Sequence, residues 1–257
     1  MIAEITHRGR SFKVDLSKPL DLSLPLSESG PRAWYVGPVV IEPVRTTDEA
    51  GVEKIYAVSE GAPVNFRNVS FNPHGHGTHT ESVGHISPEV HAVGNLLKRY
   101  FFTAQVLSLR PETRRAPDQR EDRVITLEQL RQLVNERPPE ALVLRTLPND
   151  EGAGTRQWSG SNPCYLQSTA CAWLRSIGVK HLLLDLPSVD REEDGGVLAA
   201  HHAFWDFPNT IDLERTITEM IHVPAAVGDG DYLLELQLPH FINDAAPSRP
   251  VLYAVLP

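Results

Sequence analysis

Residues 141–147 contain Ala-Leu-Val-Leu and residues 179–184 contain Leu-Leu-Leu, and neither stretch alternates apolar with polar side chains. A strand with one wet face must alternate, so runs of this kind belong to strands covered on both faces, the condition of a parallel sheet between other layers. Helix signals precede both. Thr126 with Gln129 forms a capping box ahead of Leu127, Leu130, Leu133 and Val134, and Pro138-Pro139 ends that helix. Asn162-Pro163 opens another, which passes Trp173 and Leu174 and stops at Gly178. The second half thus alternates helix and strand, and the class it defines is α/β.

The first third reads as strands and turns. Residues 3–7 and 11–15 alternate around Arg8-Gly9-Arg10, a hairpin pattern. Residues 33–44 and 54–58 add β-rich runs, residues 64–71 alternate up to Asn72-Pro73, and residues 100–109 form a further strand. Ser87-Pro88 supplies an N-cap with proline at the first helical position and predicts a helix to about Lys98. Residues 110–123 hold nine charged residues in fourteen, with two prolines, and predict an exposed, solvated loop. No repeat, low-complexity segment or convincing linker interrupts the 257 residues, so one domain over 1–257 is the simplest division.

Composition removes several functions. With 24 Lys and Arg against 33 Asp and Glu the formal charge is -9, which repels phosphate backbones and anionic lipid, so neither nucleic acid nor a membrane surface is an expected partner. No apolar run approaches the roughly 18 residues that cross a bilayer, and residues 1–10 lack the apolar core of an export signal. The two cysteines, Cys164 and Cys171, fit neither a redox pair nor a zinc knuckle and are expected to be buried thiols in a reducing, cytoplasmic setting.

Five of the 11 histidines, His74, His76, His79, His85 and His91, fall within eighteen residues, where an even scatter would place fewer than one. Imidazoles with a carboxylate are the ligand set of Zn, Mn, Fe or Ni, and the segment Asn72-Pro-His-Gly-His-Gly-Thr-His-Thr-Glu-Ser-Val-Gly-His85 offers both. If residues 77–81 are extended, His79 and Glu81 project to one side. Gly75, Gly77 and Gly84 permit close approach to an ion or substrate. The absence of GxxxxGK[ST] and of GxSxG leaves phosphate-loop and serine-hydrolase readings without their central features.

The same segment resembles the hallmark His-x-Gly-Thr-His-x-Asp-x-Pro-x-His of the cyclase family of metal-dependent hydrolases, which includes bacterial kynurenine formamidases and isatin hydrolase. With Gly77-Thr78-His79 in register the hallmark covers residues 75–85, and His79 and His85 match its second and third histidines. Asp21-Leu22-Ser23 with Pro25-Leu26, Val143-Leu144-Arg145-Thr146 and Asp185-Leu-Pro-Ser188-Val-Asp190 resemble further family segments in the family's order, over roughly residues 20–255. Three positions depart. Glu81 stands for the hallmark Asp, Val83 for the Pro and Gly75 for the first His, with His74 and His76 flanking it as alternative ligands.

The resemblance implies a single α/β domain of the swivelling β/β/α type, with a mixed sheet or barrel-like core and packed helices. It also implies one or two divalent ions, Zn or Mn, held by His79, Glu81, His201 and Glu219 with His74 or His76, and His85 as the acid–base group. His201 aligns better than His202, and Glu219 sits inside a strand where Glu214 only precedes one. The aromatic residues Trp34, Tyr35, Phe204 and Trp205 are candidates for an apolar, substrate-binding pocket. The expected function is arylformamidase-like hydrolysis of an amide-type C–N bond, in a formylamide or small cyclic amide, by a homodimer or homotetramer acting on a small molecule. A non-catalytic metal or ligand binder on the same scaffold is the alternative, because the three departures fall inside the ligand motif.

Overall fold

The computed structural model describes residues 1–116 and 118–256; Pro117, one of the two prolines counted in the charged excursion, and Pro257, the end of the domain proposed above, lie outside the described residues. An 11-stranded mixed sheet forms the backbone of the molecule. Its centre is parallel: Phe101–Leu109, Ala141–Thr146, His181–Leu184 and Thr216–Glu219 lie side by side in that order. On one flank Gly230–Glu235, Val251–Leu256 and the N-terminal hairpin continue antiparallel. On the other, His79–Glu81 adds antiparallel to Thr216–Glu219, and Ala245–Pro247 adds antiparallel to His79–Glu81 at the edge.

The lack of alternation in the central strands has the cause anticipated. Leu142, Leu144, Leu182, Leu184 and Ile217 pack with Leu130, Ala170, Leu174, Phe204 and Trp205 of the helices Leu127–Leu133, Ser168–Ser176 and Ala199–Trp205. Their neighbours Ala141, Val143 and Leu183 face the other way, into a second core with Leu22, Val106, Ile221, Leu234 and Leu252. Burying a side chain of this size stabilises by about 1.5–3 kcal/mol. The capping box is formed, with Thr126 accepting from the Gln129 N–H and Gln129 returning the bond. The first hairpin closes through Arg8 (φ 49°) and Gly9 (φ 75°), a two-residue turn that pairs His7 with Arg10.

Other expectations change. The helix predicted from Ser87-Pro88 is only Val93–Leu96, because the Ser87 N–H bonds back to Val83 and the Val93 N–H to Asn243, so tertiary ties hold this segment as turns. The solvated loop at 110–123 is largely a hairpin, Glu112–Arg115 against Glu121–Ile125, with Arg114 bonded to Glu112 and Asp122 buried. The β-rich run 33–44 narrows to Val40–Pro43 and 64–71 to Arg67–Ser70, while 54–58 is replaced by the shorter Glu53–Ile55, which starts one residue earlier. Among the described residues no helix is long and apolar enough to cross a membrane. Cys164 and Cys171 are buried, free thiols.

Candidate metal centre

The site forms where the antiparallel addition to the sheet meets the carboxyl end of the parallel strand Thr216–Glu219, the usual location of ligands in open α/β sheets. Register decides which side chains meet. His79 pairs with Glu219 across the strands, and Glu81 lies two residues beyond His79 on the same face. All three are buried. Gly77, at φ 59°, turns the chain into this strand, and its carbonyl lies 3.2 Å from His79 Nδ1, which leaves Nε2 aimed at Glu219 Oε2, 3.4 Å away.

His74 and His76 part company. Asn72 Oδ1 accepts the backbone N–H groups of His74 and Gly75, closing a turn rather than a strand, so a period-two argument does not apply here. The turn sends His74 to Glu81 Oε2, 3.0 Å from its Nδ1. It sends His76 away: Nδ1 accepts the Asn72 N–H at 2.8 Å and Nε2 lies 2.7 Å from the Gly37 carbonyl, so both ring nitrogens are occupied and His76 is removed from the expected ligand set. A Cβ on Gly75 would come within 2.8 Å of a Val36 methyl, so a side chain there would have to displace Val36, while His74, one position earlier, meets Glu81 directly.

His201, on the helix Ala199–Trp205, brings Nε2 to 3.1 Å from Glu81 Oε1, while Asp190 Oδ2 holds its Nδ1 at 2.6 Å. Asp190 in turn accepts the N–H groups of Ala200 and His201 at the start of that helix. The alternative His202 lies outside the centre, with Nδ1 3.1 Å from the Phe207 carbonyl. Glu214 is exposed and pairs with Lys180. Glu219 Oε1, by contrast, accepts the Val189 N–H and lies 3.9 Å from His201.

A chain of contacts therefore runs Asp244, His74, Glu81, His201, Asp190, each link between 2.6 and 3.1 Å. Asp244 had no role in the sequence reading, and Asp190 was quoted there only as part of a motif. His85 stands at the rim, 30% exposed, with Nε2 4.0 Å from Glu81 Oε2. Among the described residues two groups can each bring three ligand atoms within 4.8 Å of one another: His74, Glu81 and His85, and His79, Glu81 and Glu219. They share Glu81.

The electrostatics of the cluster suits a cation. Burial opposes protonation of His74 and His201, but hydrogen bonds to Asp244, Asp190 and Glu81 outweigh it and raise both to about 10. Burial would also raise Glu81; the facing histidines instead hold it well below the ordinary carboxylate range. Glu219 moves up, through burial and the charge of Glu81 beside it. Protons on imidazoles thus balance carboxylates buried together, the role a divalent ion would take. His79 Nε2 is buried without a well-formed hydrogen bond, 3.4 Å from Glu219, which suits a nitrogen able to ligate an ion.

Above the cluster lies a cavity of about 330 Å3, lined by Trp34, Val36, Ser188 and Leu198 as well as His74 and His85. Trp34 reaches it from a left-handed turn, φ 58°. The other expected pocket aromatics go elsewhere. Phe204 and Trp205 face the core, because their helix turns that stripe onto the sheet, and the Trp205 ring packs 5.5 Å from His201 while its N–H donates to the Arg215 carbonyl. Tyr35 is 75% exposed.

Residues 14–191 match the model of the family described as Cyclase, and the chain belongs to the cyclase family. Its fold recurs in a protein described as a potential metal-dependent hydrolase with cyclase activity, at 16% identity and a TM-score of 0.62, over 93% of this chain and 99% of that one. It recurs also in isatin hydrolase A from Labrenzia aggregata, at 12% identity and a TM-score of 0.61, over 93% and 94%. Isatin hydrolase A from Ralstonia solanacearum gives 14% identity and a TM-score of 0.57, over 92% of each chain.

Proposed function

We propose that the chain is a metal-dependent hydrolase of an amide-type C–N bond, in a formylamide or a small cyclic amide, with one or two divalent ions, Zn or Mn, held by His74, His79, Glu81, His201 and Glu219. The observation that carries this reading is the position of Glu81, whose two oxygens face His201 and His74 and which both three-ligand groups share. When bound, a divalent ion supplies charge that polarises an amide carbonyl and makes water a nucleophile near neutral pH.

The protein's own part follows from placement. Buried carboxylates and oriented imidazoles hold the ion; Asp190 fixes the ring of His201 so that Nε2 faces inward. His85, partly exposed at the rim, is placed to take a proton from water and return it to the leaving nitrogen. Trp34, Val36 and Leu198 offer an apolar wall to the substrate body. The isatin hydrolases sharing the fold support a small cyclic amide as substrate, since the C–N bond of isatin is of that kind. Assembly as a homodimer or homotetramer belongs to the same reading. It is supported by exposed Val40, Val64, Phe66 and Val69, apolar side chains that a second copy could cover, and light scattering tests it. Free, buried cysteines suit a reducing cytoplasm.

The test is a screen of N-formyl arylamines and lactams with metal-loaded protein, before and after chelation. The reading expects turnover that chelation abolishes and Zn2+ or Mn2+ restores. Bound metal with no turnover of any member of either class would favour the non-catalytic binder.

A further inference from the structure

Asp244 lies 170 residues from His74, yet one of its oxygens, Oδ2, is 2.6 Å from His74 Nε2 and 3.6 Å from His85 Nδ1. The two rings lie 4.2 Å apart, centroid to centroid. This carboxylate is held in place by more than its histidines. Its backbone carbonyl accepts the Ser82 N–H at 2.9 Å, and the adjoining Asn243 carbonyl accepts the Val93 N–H at 2.9 Å. The following residue, Ala245, pairs with Glu81 in the sheet. Gly84 leaves the space this needs, since a Cβ there would fall 3.1 Å from the Asp244 Cβ and 2.7 Å from the His91 carbonyl.

The two imidazoles within 3.1 Å of Glu81 are presented differently. His201 offers Nε2 to Glu81 and gives Nδ1 to Asp190; His74 offers Nδ1 and gives Nε2 to Asp244. That reversal belongs to the shifted position of His74, which reaches Glu81 from the turn that Asn72 closes, one residue before Gly75. An imidazole with one nitrogen unpartnered could turn about its Cβ–Cγ bond and present the wrong edge, and a carboxylate on the outer nitrogen prevents this.

We propose that Asp244 is a positioning residue that locks His74 with Nδ1 toward Glu81, which lets a histidine displaced from the hallmark position act as a ligand. The proposal rests on the metal-dependent reading above. Its test compares wild type, Asp244→Ala and Asp244→Asn, the last able to accept a hydrogen bond without the charge. Zn2+ affinity is measured by competition with a chromophoric chelator, and the His74 ring by proton and nitrogen NMR of metal-free protein.

Zn2+ binding should weaken by about 10- to 100-fold in Asp244→Ala and by less in Asp244→Asn. The metal-free wild type should show a slowly exchanging His74 Nε2–H resonance that Asp244→Ala loses. Unchanged Zn2+ affinity together with an unchanged His74 resonance in Asp244→Ala would overturn the proposal. If that variant does not fold, Asp244→Asn decides: affinity within twofold of wild type and an unmoved resonance count against the role. A wild type that takes up no Zn2+ defeats the metal-dependent reading, while the resonance, read without metal, still decides whether Asp244 orients the ring.

Discussion

Glu81 departs from the family's aspartate, and its geometry shows what the longer side chain does. Oε1 reaches His201 at 3.1 Å while His74 Nδ1 stands 3.0 Å from Oε2. Shortening it by one methylene retracts both oxygens by on the order of 1.5 Å. Glu81→Asp, although it restores the family residue, should therefore weaken Zn2+ binding by about tenfold or more, roughly 1.4 kcal/mol, in the same chelator competition. Equal affinity would mean that Glu81 does not need its reach. His85 makes a different prediction, because it stands at the rim rather than among the buried ligands. His85→Ala should stay folded, keep its metal and lose about 10²- to 10⁴-fold in kcat on whichever amide the screen identifies. Loss of metal from that variant would make His85 a ligand. At this scale the convergence of His79 and Glu81 could be read from motif and alternation, and that of His201 and Glu219 with them only from the family resemblance. Asp244 was not: a lone Asp carries no local pattern, and only strand pairing brings residues 244 and 81 together. Sequence left His74 and His76 as alternatives, because the turn made by Asn72, which sends only His74 to Glu81, follows no strand period.

At the scale of elements, the central strands, the hairpin turn and the capping box could be read because each has a local cause: burial on both faces, positive φ at Gly9, and reciprocal side-chain bonds. The helix expected after Ser87-Pro88 failed where backbone bonds to Val83 and Asn243 outcompeted local propensity. The charged segment at 110–123 is mostly exposed, as expected, but forms a hairpin and not a loop, because composition reports solvation but not pairing: Thr113 lies opposite Arg123, and Arg114 bonds to Glu112 on its own strand. His181, at the start of its strand, carries an element-level prediction. Its ring is buried 3.9 Å from the Phe102 ring centroid and beside Thr216, and burial, which disfavours the imidazolium, lowers its pKa to about 3. The unfolded chain, with the ordinary value of 6.5, binds more protons between those limits. Stability should thus be fully present above about pH 6.5 and fall as pH drops toward 3, with a slope from this residue of about 1.4 kcal/mol per unit. Urea unfolding across pH 4–7 checks this against His181→Gln, which should lose that part of the slope. Parallel curves for the two proteins would remove His181 as the cause.

At the scale of the whole molecule, the proposed centre is assembled from distant parts of the chain: the segment 74–85, His201, Glu219 and the carboxylates Asp190 and Asp244. A ligand held only by that assembled state stabilises it by mass action, about 4 kcal/mol at a thousand times Kd. For a domain of this size that corresponds to roughly 10 °C in Tm. Chelated protein should melt lower by that order, and reloading with Zn2+ should restore it; an unchanged Tm after verified metal removal would contradict a centre that joins these segments. Buried carboxylates facing raised imidazoles also mean that metal uptake should release protons, which calorimetry in buffers of different ionisation enthalpy would register. The measurement that tests the central claim most directly is metal content per chain in wild type and Glu81→Gln, purified in parallel and shown to be folded. We predict one or two equivalents of divalent metal in the wild type and a large loss in Glu81→Gln, because His74 and His201 face that carboxylate and His79 and Glu219 group with it. Equal metal content in the two proteins would contradict it.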